Sequence, residues 1–571
     1  MNELIRVRRR MRRTVQSVMV SFLLLAGMSG TTAAHAEEGT VGSLPDITTY
    51  RLTAEKDLRA GVAAGLKANG SLDPVNLKDL AGKGKPGKDG LCYPEPFHPG
   101  VHADGYCWDN SDDNGNSGWT PQGFSIPHSK NADSDGLWPV DQAGVAPRRW
   151  DVVSMHNEEI PSLLKFRFVD RNEAKPLYFD VLLVNVEKDG TTTPVRGHGD
   201  SVVWYGDNLL MGTGGALNVF SLDNLQYSEN IDGTFGYRYV IPLTLQYRTP
   251  AAANQACVAF QGDAPCLTSL SFDRENSALL SSEFEPKPKP PIPADTVNGG
   301  RVVRWSFDVD TWLPKTSASG DFGNSTGIKV WRAPFVGMQG AVFAAGNLYI
   351  SASCPRGYLT GYREPACIYQ VEPDGKVSIL TSAPDMTQNL DWNAKTKRLH
   401  GVNEVAQTAD KALPQRLVFE LDRTAAKITT FRLKNVLSQK CLFPWATGLN
   451  DNLTVVQGDC NGQNAQDWYA VGDQIVNFQS KRCLSVRDGS SAPNAVLVQF
   501  DCRGYPTQNW GRAASTKGGA QVTNLGSGLC LAINNASVQQ DAPAVQWHCN
   551  TDAISLAWVG SAKNAPWPWM P

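Results

Sequence analysis

Between about Pro121 and Arg423, apolar residues come in short runs rather than at helical spacing. Runs rich in Val, Leu, Tyr, Phe and Trp alternate with Gly, Asp and Asn, the pattern of an all-β chain with many short strands. A recurring phrase sets a polar and a small residue just before an apolar strand: Gln122-Gly123 before Phe124, His198-Gly199-Asp200 before Val202, Gln339-Gly340 before Ala341, and Gln388-Asn389 before Leu390. A further strand, Leu267 to Phe272, falls where another copy is due. Each phrase leads into a turn and further strands, giving units at about 121–190, 198–247, 266–312, 338–381 and 388–433. Units of four short strands predict a β-propeller of about five blades.

Outside these units the pattern changes. Thr53 to Ala68 reads as a helix, with Leu58, Val62 and Leu66 on one face and Asn69-Gly70 as the stop. The stretch Asp46 to Leu52 is extended and is expected to close the ring. Glu285 to Pro293, reading EPKPKPPIP, is expected as an extended loop within the third unit, the alternative being a linker between two separate β domains.

The last third repeats a different pattern. Cys441 and Cys460, Cys483 and Cys502, and Cys530 and Cys549 each stand 19 residues apart. Leucine follows each first cysteine (Leu442, Leu484, Leu531), and Val-Gln precedes each second one, in Val456-Gln457, Val498-Gln499 and Val545-Gln546. Trp468, Trp510 and Trp558 close the copies, twice as Gln-x-Trp. From about Lys427 to Gly560 this resembles the ricin-type lectin family, which implies a β-trefoil of three subdomains, a core of the three tryptophans and one disulfide per subdomain.

The same resemblance implies sugar binding, and there the copies differ. The family's aspartate after Cys-Leu is replaced by Phe443, Ser485 and Ala532, and its amide before Gln-x-Trp by Ala465, Thr507 and Ser555. The best remaining pocket is the third, with Trp547 as stacking platform and Gln546, Asn534 and Asn550 as polar contacts. Gln499 with Phe500 makes a poorer version in the second copy, and Gly458 leaves the first without a platform. Burial of Trp547 would instead favour a structural or protein-interaction module. The exposed aromatics of the tail, Pro566-Trp567-Pro568-Trp569, are candidates for docking on the propeller.

Composition narrows the class. Net charge is −3 and hydrophobic residues make up 41% of the 571, so folded domains are expected and nucleic acid is not an expected partner. Six arginines between Arg6 and Arg13, an apolar run from Val15 to Met28 and Ala34-His35-Ala36 form a secretory signal, with cleavage expected before Glu37. No later run is apolar and long enough for a membrane span. Export implies oxidised cysteines, and proximity pairs Cys92 with Cys107, Cys257 with Cys266, and Cys354 with Cys367. The expected organisation is therefore 1–36 signal peptide, 37–120 N-terminal extension, 121–426 propeller and 427–571 trefoil.

Candidate chemistry in the middle follows from ring geometry. Residues at the starts of the innermost strands share one channel mouth, which nominates Gln122, His198, Gln339, Gln388 and Asn389 as a polar cluster, or as funnel filling. His156-Asn157-Glu158-Glu159 sets a histidine beside two carboxylates, at a strand end expected to be an exposed turn. Gly323-Asn324-Ser325-Thr326-Gly327 matches the nucleophile-elbow formula without its strand-turn-helix setting. The loop Asp109 to Gly118 offers oxygens at alternate positions but lacks the spacing of a helix-loop-helix calcium site. No cofactor or metal is expected.

Arg149-Trp150, Met155-His156-Asn157-Glu158-Glu159, His198 and Val203-Trp204-Tyr205-Gly206-Asp207 resemble secreted actinobacterial propeller-like proteins over about 121–425, which implies the fold and export rather than a reaction. The expected function is a secreted protein that binds extracellular polysaccharide or cell-surface glycan without catalysis. The alternative is a glycan-active hydrolase or lyase with its site in the channel and the trefoil as targeting module.

Overall fold

The computed structural model of the chain describes residues 41–44, 50–91, 97–98, 100–108, 118–140, 144–160, 162–230, 234–250, 264–284, 300–354, 366–404, 416–424 and 430–562. The signal segment, Cys92, Cys257, most of the loop from Asp109, the run Glu285 to Pro293 and the aromatic tail lie outside them. The structure is all-β with a single α-helix among the described residues.

Five antiparallel four-stranded sheets follow one another along the middle of the chain. The first runs Trp119–Ser125, Arg148–Asn157, Leu164–Asp170, Leu177–Val186. The second is Ser201–Tyr205, Asn208–Thr213, Ala216–Ser221, Tyr239–Arg248. The third is Ser269–Asp273, Ala278–Ser282, Gly300–Asp308, Ser325–Ala333. The fourth is Gly340–Ala344, Asn347–Ser353, Ala366–Val371, Val377–Ala383. The fifth takes Thr387–Asn393, Arg398–Asn403 and Leu417–Asp422 from this region, and its fourth strand, Ala103–Cys107, from far upstream.

The first strands of the five sheets touch in a closed cycle, one to two to three to four to five and back to one. An apolar core fills each gap between neighbours. Trp150, Phe166, Trp204 and Met211 lie between sheets one and two, and Tyr205, Leu217, Phe272 and Trp305 between two and three. Leu280, Trp331, Ile350 and Tyr369 lie between three and four, Val342, Ile368, Leu390 and Phe419 between four and five, and Phe124, Met155, Tyr106 and Val418 between five and one. Alternating strands explain this: each sheet must bury both faces, so apolar residues point both ways and pack on two neighbours.

The recurring Gln-Gly phrase has a steric cause. A Cβ on Gly123 would stand 2.4 Å from Ser201 Cα, and one on Gly340 would stand 2.4 Å from Asn389 Cα. The inner strands therefore approach to backbone contact where only glycine fits.

Three expectations need correction. The fifth sheet is completed by Ala103–Cys107; of the stretch Asp46 to Leu52 expected in that place, residues 46–49 lie outside the described residues, and the strand Arg51–Asp57 pairs with Tyr239–Arg248 and Ser325–Ala333 and helps join the first three sheets at their outer edges. That pairing takes up the first turn of the expected helix, which begins only at Arg59 and runs to Ala68. Gly65 lets it lie on the backbone at Glu187, whose carbonyl oxygen would be 2.1 Å from an added Cβ. The third unit also reaches beyond 312, to Ala333, and its strands on either side of the Pro-rich run pair directly.

The C-terminal part is a threefold trefoil. Trp468, Trp510 and Trp558 are buried together with Leu442, Leu484 and Leu531, and each indole Nε1 donates to the carbonyl of the leucine in its own copy. Each tryptophan buries an area that contributes on the order of several kcal/mol to the core. Disulfides join Cys441–Cys460, Cys483–Cys502 and Cys530–Cys549, and a fourth joins Cys354–Cys367. Cys107 and Cys266 are also disulfide-bonded. No helix among the described residues is long and apolar enough to cross a membrane.

Candidate functional site: two ends of a strand ring and three trefoil pockets

Where the inner strands begin, the structure gathers His156, His198, Gln122, Gln388, Glu158 and Glu404. Glu158 follows Arg148–Asn157 and Glu404 follows Arg398–Asn403, so each antiparallel partner strand delivers a carboxylate to the start of an inner strand. The rings of His156 and His198 lie 4.3 Å apart between centroids. His198 Nδ1 is 2.6 Å from Asp200 Oδ1, and this bond raises the pKa of His198. Burial, with the adjacent His198 next, pushes His156 down to about 4, and its Nδ1 has no hydrogen-bond partner.

Glu404 is held at its other face. Gln388 Nε2 donates to Glu404 Oε2 at 2.7 Å, and Arg416 Nε donates to the Glu404 carbonyl at 2.7 Å. Burial raises the pKa of the Glu404 carboxyl; Gln122, His198 and Arg416 oppose the shift and Glu158 adds to it. Gln122 is 3% exposed, lies beside this carboxyl, and its Nε2 closes no hydrogen bond of normal geometry. Thr120 Oγ1 donates to the exposed Glu158 at 2.8 Å. A raised acid and a second carboxylate at one mouth can move protons in both directions.

The other end of the same strands is closed. His128 sits between Asp391, at 3.0 Å from Nε2, and Asp135, at 3.3 Å from Nδ1, all buried. Ser125 Oγ and the Ile126 amide donate to Asp391, and Arg274 pairs with Asp135. Burial works against the His128 charge, but Asp391 and Asp135 outweigh it and push the pKa up to about 9.

Of the nominated channel residues, Gln122, His198 and Gln388 meet at the open mouth. Asn389 does not: it is buried, donates to the carbonyls of Phe124 and Leu270 and accepts from the Phe124 amide, so it ties three inner strands together. Gln339 is half-buried, and its backbone amide donates to Ser351. His156 is no part of an exposed turn, although Glu158 and Glu159 are exposed. Ser325 of the elbow-like run is buried at the start of a strand, as its lack of a following helix implied. No group of three or more His, Cys, Asp or Glu among the described residues is arranged to hold a metal ion.

The trefoil pockets diverge in structure as in sequence. Phe443 fills the first, its Cε1 lying 2.6 Å from where a Cβ on Gly458 would stand. Phe500 in the second is half-buried, with Arg503 over its ring at 5.5 Å. Trp547 in the third is 46% exposed, with an edge contact to His548. Asn534 is half-buried with an unpartnered Oδ1, and Asn550 is exposed.

Gln546 and Gln499 are corrected from sugar contacts to framework. Each is fully buried, and so is Gln457 of the blocked first copy. Gln457 Nε2 donates to the carbonyls of Ser537 and Gln539, Gln499 to those of Gly448 and Asn450, and Gln546 to those of Ser490 and Ala492. The three amides thus fasten each subdomain to another in a cycle, and with both Nε2 hydrogens used and the side chains fully buried, none faces a sugar.

Residues 429–558 match the model of the ricin-type beta-trefoil lectin domain. This part of the chain is a ricin-type lectin domain; the residues before it lie outside the match. No curated protein matches the chain. Among solved structures, the designed threefold-symmetric protein ThreeFoil is similar at 24% identity, covering 23% of this chain and 96% of its own, with a TM-score of 0.22. An exo-beta-1,3-galactanase from Clostridium thermocellum is similar at 14% identity over 78% of this chain and 100% of its own, TM-score 0.29. The Rhizoctonia solani agglutinin is similar at 16% identity over 24% of this chain and 98% of its own, TM-score 0.21.

Proposed function

We propose that this is a secreted carbohydrate-binding protein in which a five-bladed β-propeller carries a trefoil with one working pocket. The observation that carries the reading is Trp547, an exposed indole on the third copy of a lectin domain whose other two platform positions are Gly458 and a half-buried Phe500. An exposed aromatic can stack on the apolar face of a sugar ring while neighbouring polar groups take the hydroxyls; here Asn534 and Asn550 are the nearest candidates in sequence. The exposure of Trp547 speaks against the purely structural alternative. The propeller reading rests on the closed cycle of five inner strands with one apolar core between each adjacent pair.

Export is supported by the basic and apolar leader and by four described disulfides. N-terminal sequencing of the exported protein is expected to begin at Glu37. Binding of the full chain across a glycan panel, with Trp547→Ala beside it, tests the pocket. At least one glycan is expected to bind, and the variant to lose about tenfold or more in affinity. Equal binding by both proteins removes the assigned site.

A further inference from the structure

The three trefoil copies are alike enough that each serves as a control for the others, and the third departs from them at one stretch of backbone. In the first copy the buried Gln466 spans the second cysteine: its Nε2 donates to the Asp459 carbonyl at 2.8 Å and its Oε1 accepts from the Asn461 amide at 3.0 Å. Gln508 does the same in the second copy, on the Asp501 carbonyl at 2.7 Å and the Arg503 amide at 2.9 Å. The third copy has Leu556 there, the last residue of the same short turn before the core tryptophan, packed with Ala532 and Val545. A second substitution falls on the same stretch. The Asp459 amide donates to Gln540 Oε1 and the Asp501 amide to Asp451 Oδ1, each side chain standing just past the carbonyls that hold Gln457 and Gln499. The residue just past the carbonyls that hold Gln546 is Pro493, which has no side-chain acceptor. The His548 amide, the His548 carbonyl and the Asn550 amide are thus left without a hydrogen bond among the described residues. The stretch keeps its shape all the same: Asn550 Oδ1 accepts from the Asp552 amide as Asn461 Oδ1 does from the Gln463 amide, and the disulfide forms as in the other copies.

Backbone groups released from internal partners take others. Here they belong to exposed residues next along the chain from Trp547, and only the copy with the exposed indole has lost both partners. We propose that the third pocket holds its sugar on this backbone stretch, with two adjacent pyranose hydroxyls bridging the His548 carbonyl and the Asn550 amide where the other copies have a carboxamide. The proposal rests on the carbohydrate reading of the trefoil and adds to it the polar contacts and the class of ligand. The first two copies show what the stretch recognises: a group that accepts from an N–H, set beside one that donates to a carbonyl. Adjacent hydroxyls meet that demand because each can donate and accept, whereas a carboxylate brings no hydrogen to the His548 carbonyl. The His548 amide adds a second donor at the same edge. Because the stretch offers both donor and acceptor, the loss of a carboxylate at Ala532 does not strip the pocket of polar contacts.

The test uses the full chain with Leu556→Gln, Pro493→Gln and Trp547→Ala. The first two restore partners that the other copies use, so both variants are expected to melt no lower than wild type. Toward the neutral glycan that wild type binds most tightly in a panel, each is expected to lose about tenfold in affinity, and the combined variant more. Deoxy or O-methyl analogues of that glycan that lack one of the two adjacent hydroxyls are expected to bind wild type about tenfold more weakly as well. Amide hydrogen exchange, read by mass spectrometry, is expected to slow across residues 548–550 when the glycan saturates wild type. A combined variant that folds and binds as wild type does overturns the proposal, and so does exchange in this stretch that the glycan leaves unchanged. Should Leu556→Gln fold poorly, Pro493→Gln and the exchange measurement decide. If Trp547→Ala abolishes binding while the two restoring variants bind normally, the trefoil reading stands and this one fails. If wild type binds no glycan, the trefoil reading fails and takes this one with it.

Discussion

The two ends of the inner-strand ring use the same residue types to opposite effect. At the closed end, His128 is clamped between Asp391 and Asp135, so the imidazole holds its charge up to about pH 9. At the open mouth, His156 stacks on another histidine, keeps an idle Nδ1 and is neutral down to about pH 4. A buried charge held by two carboxylates specifies a structure, whereas a neutral histidine beside a second ring leaves its site less constrained.

The largest expected effect comes from breaking the closed end. Asp391→Ala strips the partner from a buried charged imidazole and from Ser125 Oγ and the Ile126 amide. Chemical denaturation is expected to show a loss of about 3–5 kcal/mol. Alkali attacks the same site without mutation. The folded pKa of His128 lies above its unfolded value, so its stabilisation is complete below about pH 6.5 and is lost as pH rises through about 9. The loss is of order 3 kcal/mol at most, read as a falling denaturation midpoint that Asp391→Ala no longer shows.

The trefoil repeats the contrast between two adjacent residues. Gln546→Ala leaves the Ser490 and Ala492 carbonyls and the Ser527 hydroxyl without their partner and is expected to cost about 1–3 kcal/mol. Trp547→Ala, next along the strand, is expected to change stability by no more than about 0.5 kcal/mol while removing glycan binding. Glu404→Gln sharpens the comparison from the open side. Because burial makes ionised Glu404 unfavourable, its neutral isostere is expected to unfold at neutral pH no more easily than wild type, within about 1 kcal/mol. A large loss there would place Glu404 with the framework.

Much of this was legible in sequence because it is local or periodic. Apolar runs marked the strands, the 19-residue cysteine spacing marked the trefoil, and three short-range pairings there and Cys354–Cys367 formed as proximity and resemblance implied. The open mouth was half legible: Gln122, His198 and Gln388 follow from their place before an inner strand. Glu404 was missed because it lies at the far end of a hairpin, and only antiparallel return brings it to the start of Thr387–Asn393. Asn389 was misplaced by one residue of alternation, which turns its side chain from the mouth into the ring. Gln546 was misread although a signal was present. Its counterpart Gln457 stands in a copy whose platform is glycine, so the repeated amide had to serve the fold rather than a sugar.

The strand that completes the fifth sheet also sets the order of events when the chain is made. Ala103–Cys107 leaves the ribosome early, but its partner Leu417–Asp422 follows roughly three hundred residues later, tens of seconds at ordinary rates of synthesis. Until then, the edge of Ala103–Cys107 has no ladder on that side, and the apolar cores flanking the fifth sheet lack Phe419 and Val418. Closure is therefore a late, long-range step, slowed by the entropy of joining distant segments. A nascent chain halted before Leu417 would present an open sheet edge to its neighbours, which makes this seam the place where misassembly of the newly made protein begins.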